Sequence, residues 1–267
     1  MHDGQLLDIM IAAALEAGRA TNAIFKGDLQ LRHKKDDSPV TAADHAAEAI
    51  ILERLHAVVA HIPIVAEEEV EAGRVPAIGH SFFLVDPLDG TREFIEGRPE
   101  FTVNIALVRD GAPVLGVVYA PASRNLYAGD VPAATAFRAT LSSDVLDGIA
   151  REPIHVRHAP QAGLTAVASR SHRSPETDAY LNRYAVADIA SIGSSLKFCL
   201  VATGEADLYP RLGTTMEWDT AAGHAVLAAA GGAVVTADGT PLVYGKSGFR
   251  NPWFIATGSI VPLALNP

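Results

Sequence analysis

The stretch Phe82-Phe83-Leu84-Val85-Asp86-Pro87-Leu88-Asp89-Gly90-Thr91 is the most informative part of the chain. Ser81 and the four apolar residues after it read as a short strand buried on both faces. That strand ends in two carboxylates three positions apart, Asp86 and Asp89. Pro87 withholds a main-chain donor and fixes the turn. Gly90 admits a backbone conformation that other residues resist, and Thr91 stands where a helix can begin. Two carboxylates on one tight turn suit a hard cation, which takes oxygen ligands. Phosphoryl chemistry commonly uses two such ions, about 3.5–4 Å apart. A plain strand-to-helix turn with Asp89 as N-cap accounts for the same residues and stays open at this point.

Two competing motifs fail by counting. An EF-hand loop starting at Asp86 needs a glutamate at its twelfth position, which is Gly97. The D-x-D-G-T signature of acyl-phosphate phosphatases is one residue shorter between its aspartates than Asp86 and Asp89 allow. Working outward, residues 62–65 read as a strand running into Glu67-Glu68-Glu69. Asp219, in Glu217-Trp218-Asp219-Thr220-Ala221-Ala222-Gly223, opens an Ala-rich helix. Asp44 lies in the first turn of a helix that Thr41 caps. Taken singly, each has an ordinary explanation: a solvated acidic run, an N-cap, a charge complementing the helix dipole.

Composition narrows the class. Of 267 residues, 49% are hydrophobic and 19% charged, which supports a packed core and excludes disorder. The formal net charge is −10, so non-specific nucleic-acid binding is excluded as a function. An anionic ligand would need metal ions or a few local cations to invert the field. The single cysteine, Cys199, permits no intrachain disulfide and reads as a packing residue. No run of about 18 apolar residues marks a membrane span, and no leader pattern opens the chain. The expectation is a cytoplasmic protein, with peripheral attachment to the inner membrane left open, acting as a monomer or homodimer.

Helices are expected over residues 5–25, closed by Gly27, and over 41–60, with a charged loop at 32–39 between them. Residues 101–109 and 113–120 predict a hairpin across Arg109-Asp110-Gly111, and 121–150 read as less regular. Beyond a soft boundary near 150, strands and helices alternate: strands at 164–168, 188–191, 206–209, 233–236 and 254–256, helices at 175–184, 195–203 and 220–230. Alternation favours an α/β layer, whereas the first half looks α+β. The expectation is one compact unit of alternating helix and sheet layers. Residues 1–150 form its metal-binding half, and residues 151–267 add nucleotide recognition and one metal ligand.

In combination the segments cease to be ambiguous. Glu67-Glu68, Asp86-Pro87-Leu88-Asp89-Gly90-Thr91 and Trp218-Asp219-Thr220-Ala221-Ala222-Gly223 occur in this order with family-like spacing, and the chain resembles the inositol monophosphatase superfamily of lithium-sensitive, magnesium-dependent phosphatases. Within it the resemblance is to the 3'(2'),5'-bisphosphate nucleotidase branch. It is carried by Ser38-Pro39-Val40-Thr41-Ala42-Ala43-Asp44, Glu100-Phe101-Thr102-Val103-Asn104, Ser169-Arg170-Ser171-His172, Ser191-Ile192-Gly193-Ser194-Ser195-Leu196-Lys197 and Leu208-Tyr209-Pro210-Arg211. The fold implied is that of inositol monophosphatases and sugar phosphatases.

The resemblance also implies roles. Glu67, Asp86 and the Leu88 carbonyl would hold a first Mg2+; Asp86, Asp89 and Asp219 a second; Glu68 a third, looser ion. Asp44 and Thr91, with Glu67, would orient and deprotonate a metal-activated water for in-line attack on phosphorus. Leu88, Asp89, Gly90 and Thr91 would receive the phosphate, beside Glu67 and Asp219. His172, Ser194, Lys197 and Arg211 would recognise the nucleotide. The implied reaction converts adenosine 3',5'-bisphosphate to AMP and phosphate, with 3'-phosphoadenylyl sulfate as a second substrate. An inositol or sugar phosphatase and a non-catalytic phospholigand-binding protein are the alternatives.

Overall fold

The computed structural model describes residues 1–25, 32–33, 39–142, 150–169 and 174–265. Elements run in chain order as helix α1 (Asp3–Ile24), strands β1 (Arg32–His33) and β2 (Pro39–Val40), α2 (Ala42–Val59), β3 (Ile64–Ala66), α3 (Glu67–Glu71), β4 (Ser81–Asp89) and α4 (Thr91–Ile95). There follow β5 (Thr102–Arg109), β6 (Ala112–Ala120), β7 (Asn125–Asp130), β8 (Thr135–Thr140) and β9 (Glu152–Pro153). The last part holds β10 (Leu164–Ser169), α5 (Pro175–Leu181), β11 (Val186–Ile192), α6 (Leu196–Ala202), β12 (Leu208–Arg211), α7 (Ala221–Ala229), β13 (Ala233–Thr236) and β14 (Phe254–Thr257).

Strands β3 to β9 form one sheet in sequential order, and β11-β10-β12-β14-β13 form a second. Period-two alternation sorts their side chains between layers. Phe83 and Val85 join α1 and α2 on one face of the first sheet. Phe82 and Leu84 face the other way, into a core shared with α6, α7 and the inner face of the second sheet. On that sheet, Tyr209, Phe254 and Ala256 point inward, while Leu208 and Ile255 point out toward α5. The result is five layers, helix–sheet–helix–sheet–helix, the layered α+β arrangement expected. The shared core draws on residues from both sides of position 150, and β9, beyond it, pairs with β8 of the first sheet. Helix α7 rests on the first sheet at Gly116. A Cβ there would lie 2.4 Å from the Ala222 carbonyl oxygen, so no larger residue fits beneath the helix.

Several expectations change. Helix α1 ends at Ile24 with Phe25 as its C-cap; Gly27, expected to close it, lies outside the described residues. The charged loop contains a two-stranded ribbon, Arg32↔Val40 and His33↔Pro39, and residues 34–38 lie outside the described set. The acidic run is not a loop: Glu67 to Glu71 form a short helix, whose first turn suits acidic residues. The stretch read as irregular holds the β7–β8 hairpin. Leu126 and Ala128 enter one core layer and Tyr127 the other, so no polar face marks the strand.

Candidate active site

The chain does not turn at Pro87, as expected, but stays in strand β4 as far as Asp89. Asp86 pairs with Asn104 and Asp89 with Thr102, so β4 carries one residue more than β5 across this step. A proline that cannot donate to a ladder is tolerated at such a bulge. The bulge brings the two carboxylates to the same end of the strand. The Leu88 side chain drops into a buried cluster with Ala43, Phe94 and Phe101. Gly90 then takes φ +94°, and a Cβ there would approach the Glu100 carbonyl to 3.0 Å. Helix α4 begins at Thr91, whose hydroxyl donates to the Leu88 carbonyl at 3.2 Å.

Strand β3 runs parallel to β4 with Ala66 opposite Val85, so Glu67 leaves its strand beside Asp86. Helix α3 is held there by Glu48. This buried α2 carboxylate accepts the Glu68 main-chain N–H at 2.8 Å, and burial pushes it up to about 7. Asp44, one turn earlier on α2, is also buried. Its Oδ2 accepts from both the N–H and the hydroxyl of Thr41, each at 2.7 Å, closing a capping box.

The second half of the chain meets these carboxylates through Ser195. Its N–H donates to Asp89 Oδ2 at 2.5 Å, and its hydroxyl donates to the Asp219 carbonyl at 2.7 Å. Asn104 Nδ2 reaches both Ser195 Oγ (3.0 Å) and Asp89 Oδ2 (3.4 Å). Asp219 is not the N-cap of α7; Thr220 holds that position, and Asp219 Oδ2 accepts the Met216 N–H at 2.8 Å. Behind it, the fully buried Glu217 accepts the N–H groups of Gly245 (2.7 Å) and Lys246 (2.9 Å) and pairs with the Lys246 ammonium at 2.6 Å. Trp218 is buried and packs against Phe249, and Cys199 is a buried thiol pushed up by burial, as expected of packing residues.

Glu67, Asp89, Gly90, Thr91, Ser194, Lys197, Arg211 and Asp219 all line one cleft of about 370 Å³. Carboxylates and cations share its lining. Burial, and then the neighbouring carboxylates, hold Asp86 and Asp219 well above the usual carboxylate range; Asp89 is also raised by burial, against the pull of Lys197. Such crowding of like charge is relieved by a bound cation. Each of the three aspartates gives an oxygen to a main-chain N–H, those of Leu88, Ser195 and Met216. Among the described residues, no group of three or more Asp, Glu, His or Cys side chains is arranged to hold a metal ion by itself; the carboxylates form an acidic wall. All-oxygen donors on such a wall fit Mg2+, which retains several waters and needs few protein ligands.

Among the cations, Lys197 is buried, donates to the Ser194 carbonyl at 2.5 Å and lies 5.5 Å from the Tyr209 ring centroid. Burial lowers it to about 8, partly offset by Asp89. Arg211 gives Nη2 to the Thr214 carbonyl at 3.0 Å, while its buried Nε finds no acceptor among the described residues. Ser194 sits at φ +51°, and its hydroxyl accepts the Leu196 N–H at 3.4 Å.

The structure thus brings most of the expected residues together. Asp44, Glu68, Asp86 and Leu88 are buried and do not line the cleft, and the Asp44 Oδ2 is taken up by Thr41. His172 lies outside the described residues. Sequence reading missed Glu48, Asn104, Ser195 and Glu217. Only Glu48 leaves a local trace, four positions after Asp44 and so on the same helix face.

Fold and site define a class, and this chain belongs to the inositol monophosphatase family, whose model matches residues 3–255. Among curated proteins, it is 43% identical over 255 residues to the 3'(2'),5'-bisphosphate nucleotidase CysQ of Salmonella typhimurium, covering 94% of this chain and 99% of that one. Among solved structures, it superposes on CysQ from Bacteroides thetaiotaomicron with a TM-score of 0.82 at 37% identity, covering 97% of this chain and 99% of that one. An inositol monophosphatase from Anabaena gives 0.73 at 29% identity, covering 96% and 92%. No helix among the described residues is long and apolar enough to cross a membrane.

Proposed function

We propose that this chain is a magnesium-dependent 3'(2'),5'-bisphosphate nucleotidase that hydrolyses adenosine 3',5'-bisphosphate to AMP and phosphate and takes 3'-phosphoadenylyl sulfate as a second substrate. The observation that carries this reading is a single cleft lined by both carboxylates and cations. Glu67, Asp89 and Asp219 share it with Lys197 and Arg211, and Arg211 Nε is a buried donor without an acceptor among the described residues. The carboxylates suit the metal ions that one phosphate needs, and the cations suit a substrate with a second phosphate. The likeness to the nucleotidase of Salmonella typhimurium over nearly the whole chain supports the same substrate.

In this reading Glu67, Asp86 and the Leu88 carbonyl would hold one Mg2+, Asp86, Asp89 and Asp219 would hold a second, and Glu68 would serve a third. When bound, magnesium lowers the pKa of water and offsets charge developing on the phosphoryl oxygens. The turn from Leu88 to Thr91 seats the transferred phosphate. Thr91 would orient the attacking water and relay its proton to the Asp44 carboxylate. The water oxygen bonds to phosphorus as the bond to the 3'-oxygen breaks, and the leaving ribose oxygen takes up a proton. Ser195 fixes the distance between Asp89 and Asp219 by bonding to both. Ser194, Lys197 and Arg211, with His172, hold the nucleotide.

The test is phosphate release from adenosine 3',5'-bisphosphate and from inositol 1-phosphate, each with magnesium and with EDTA. Strong magnesium-dependent preference for the nucleotide is expected. Preference for inositol 1-phosphate would keep the acidic wall and remove the nucleotide reading of Lys197 and Arg211; binding without turnover would remove catalysis.

Lys197 adds a pH dependence. Its ammonium binds an anion only while protonated, and burial brings its titration down to about 8. KM for the bisphosphate is therefore expected to rise as pH rises through about 8, and Lys197→Met to abolish that rise. An unchanged pH dependence of KM in the variant would remove Lys197 from substrate binding.

A further inference from the structure

The cleft holds one more cation. Arg92 follows Thr91 directly in α4, is exposed, and lines the cleft wall. Its neighbour Glu93 is buried and acts electrostatically on Lys197. Gly193 packs so closely on Glu93 that an added Cβ would lie 3.0 Å from the Glu93 Cδ, which leaves Glu93 little freedom to turn toward Arg92. Glu96, one helical turn after Arg92, pairs with Arg98 at 2.9 Å. Among the described residues the Arg92 guanidinium makes no ion pair or hydrogen bond, whereas those of Arg54, Arg109 and Arg157 are held by Glu16, Asp3 and Asp207.

A guanidinium left unneutralised on a cleft wall, in a chain of net charge −10, is placed to meet an anion that arrives with the substrate. Arg92 adjoins the turn that seats the transferred phosphate but comes from the first half of the chain, whereas Lys197 and Arg211 come from the second. We propose that Arg92 is a specificity-determining residue that closes on the phosphate the enzyme does not cleave, so that cations from both halves grip it. The planar fork of arginine binds a phosphate through two parallel N–H groups, a contact lysine cannot reproduce. This inference rests on the nucleotidase reading and names which end of the nucleotide Arg92 touches.

The experiment compares adenosine 3',5'-bisphosphate with adenosine 3'-monophosphate, which lacks the second phosphate, for the unaltered full chain and for Arg92→Met, Arg92→Lys and Arg92→Glu in magnesium. Arg92→Met is expected to lose at least about tenfold more kcat/KM on the bisphosphate than on the monophosphate, mainly through KM, as for a lost hydrogen bond to a charged group. Arg92→Lys should lie between parent and Met, and Arg92→Glu below both. Inhibition by AMP, which keeps the 5'-phosphate, should weaken more than inhibition by inorganic phosphate. Because Arg92 is exposed, thermal midpoints report whether each variant is folded. Equal losses on both nucleotides, or no loss on either, would overturn the assignment and leave the nucleotidase reading intact. An unaltered chain that turns over neither nucleotide in magnesium would overturn both.

Discussion

Asp89→Asn is expected to yield a folded protein whose kcat on the bisphosphate falls by about 10²–10³ or more, the scale on which single electrostatic stabilisers of a transition state act. Asp89 is bonded to residues from both halves: Asn104 and Thr102 on β5, and Ser195 at the start of α6. An asparagine can still accept the Ser195 N–H through its carbonyl oxygen, so the framework survives. It loses the negative charge that attracts the cation and that offsets the cost of burying Lys197. Burial raises the parent carboxylate, while Lys197, Ser195 and Asn104 favour its charged form, so the amide relieves one cost and leaves Lys197 less compensated. The rise in thermal midpoint on adding magnesium should shrink, because stabilisation by a ligand follows its affinity. Near-normal turnover, or an undiminished magnesium shift, would remove Asp89 from the metal site.

Glu217→Ala is expected to lower the unfolding free energy by about 3 kcal/mol, at the lower end of the range for breaking a buried pair because Lys246 is partly exposed. Glu217 is fully buried, and its loss leaves two main-chain N–H groups without their acceptor and the Lys246 ammonium with the Val243 carbonyl but no carboxylate. Its backbone carbonyl also accepts the N–H groups of Thr220 and Ala221, so the same residue fixes the loop that carries Asp219 into α7. Glu217→Gln retains one acceptor oxygen and should lose less. Denaturant titration reads the order parent, Gln, Ala; a magnesium titration should show a weaker midpoint for Ala than for Gln. An alanine variant within about 0.5 kcal/mol of the parent, the range of ordinary surface substitutions, would show that the Glu217–Lys246 tie holds nothing in place.

The two variants separate what the chain states locally from what folding adds. The acidic wall is legible because its residues are tied to strand and helix ends: Asp86 and Asp89 after an apolar run, Glu67 after a short strand, Asp219 before an Ala-rich helix. Their types, order and spacing identify the family, and period-two and helical patterns locate most of the elements. These signals are local, spanning a strand or a turn, so they survive without knowledge of neighbours.

The framework around that wall is not local. Ser195 reaches Asp89 across 106 positions, Glu217 reaches Gly245 across 28, and Glu48 reaches Glu68 across 20. Nothing in a serine before Leu196, or a glutamate before Trp218, announces a partner so far away. The same limit hid the β7–β8 hairpin, whose strand β7 is buried on both faces and shows no polar alternation, and the path of β4 through Pro87, which depends on the register of β5. Residue types and spacing therefore carry the acidic wall and the family. Which groups hold those carboxylates in place, and which arginine on the cleft wall is left unpaired among the described residues, follow from layer packing and strand register, because those contacts join residues that only the folded chain brings together.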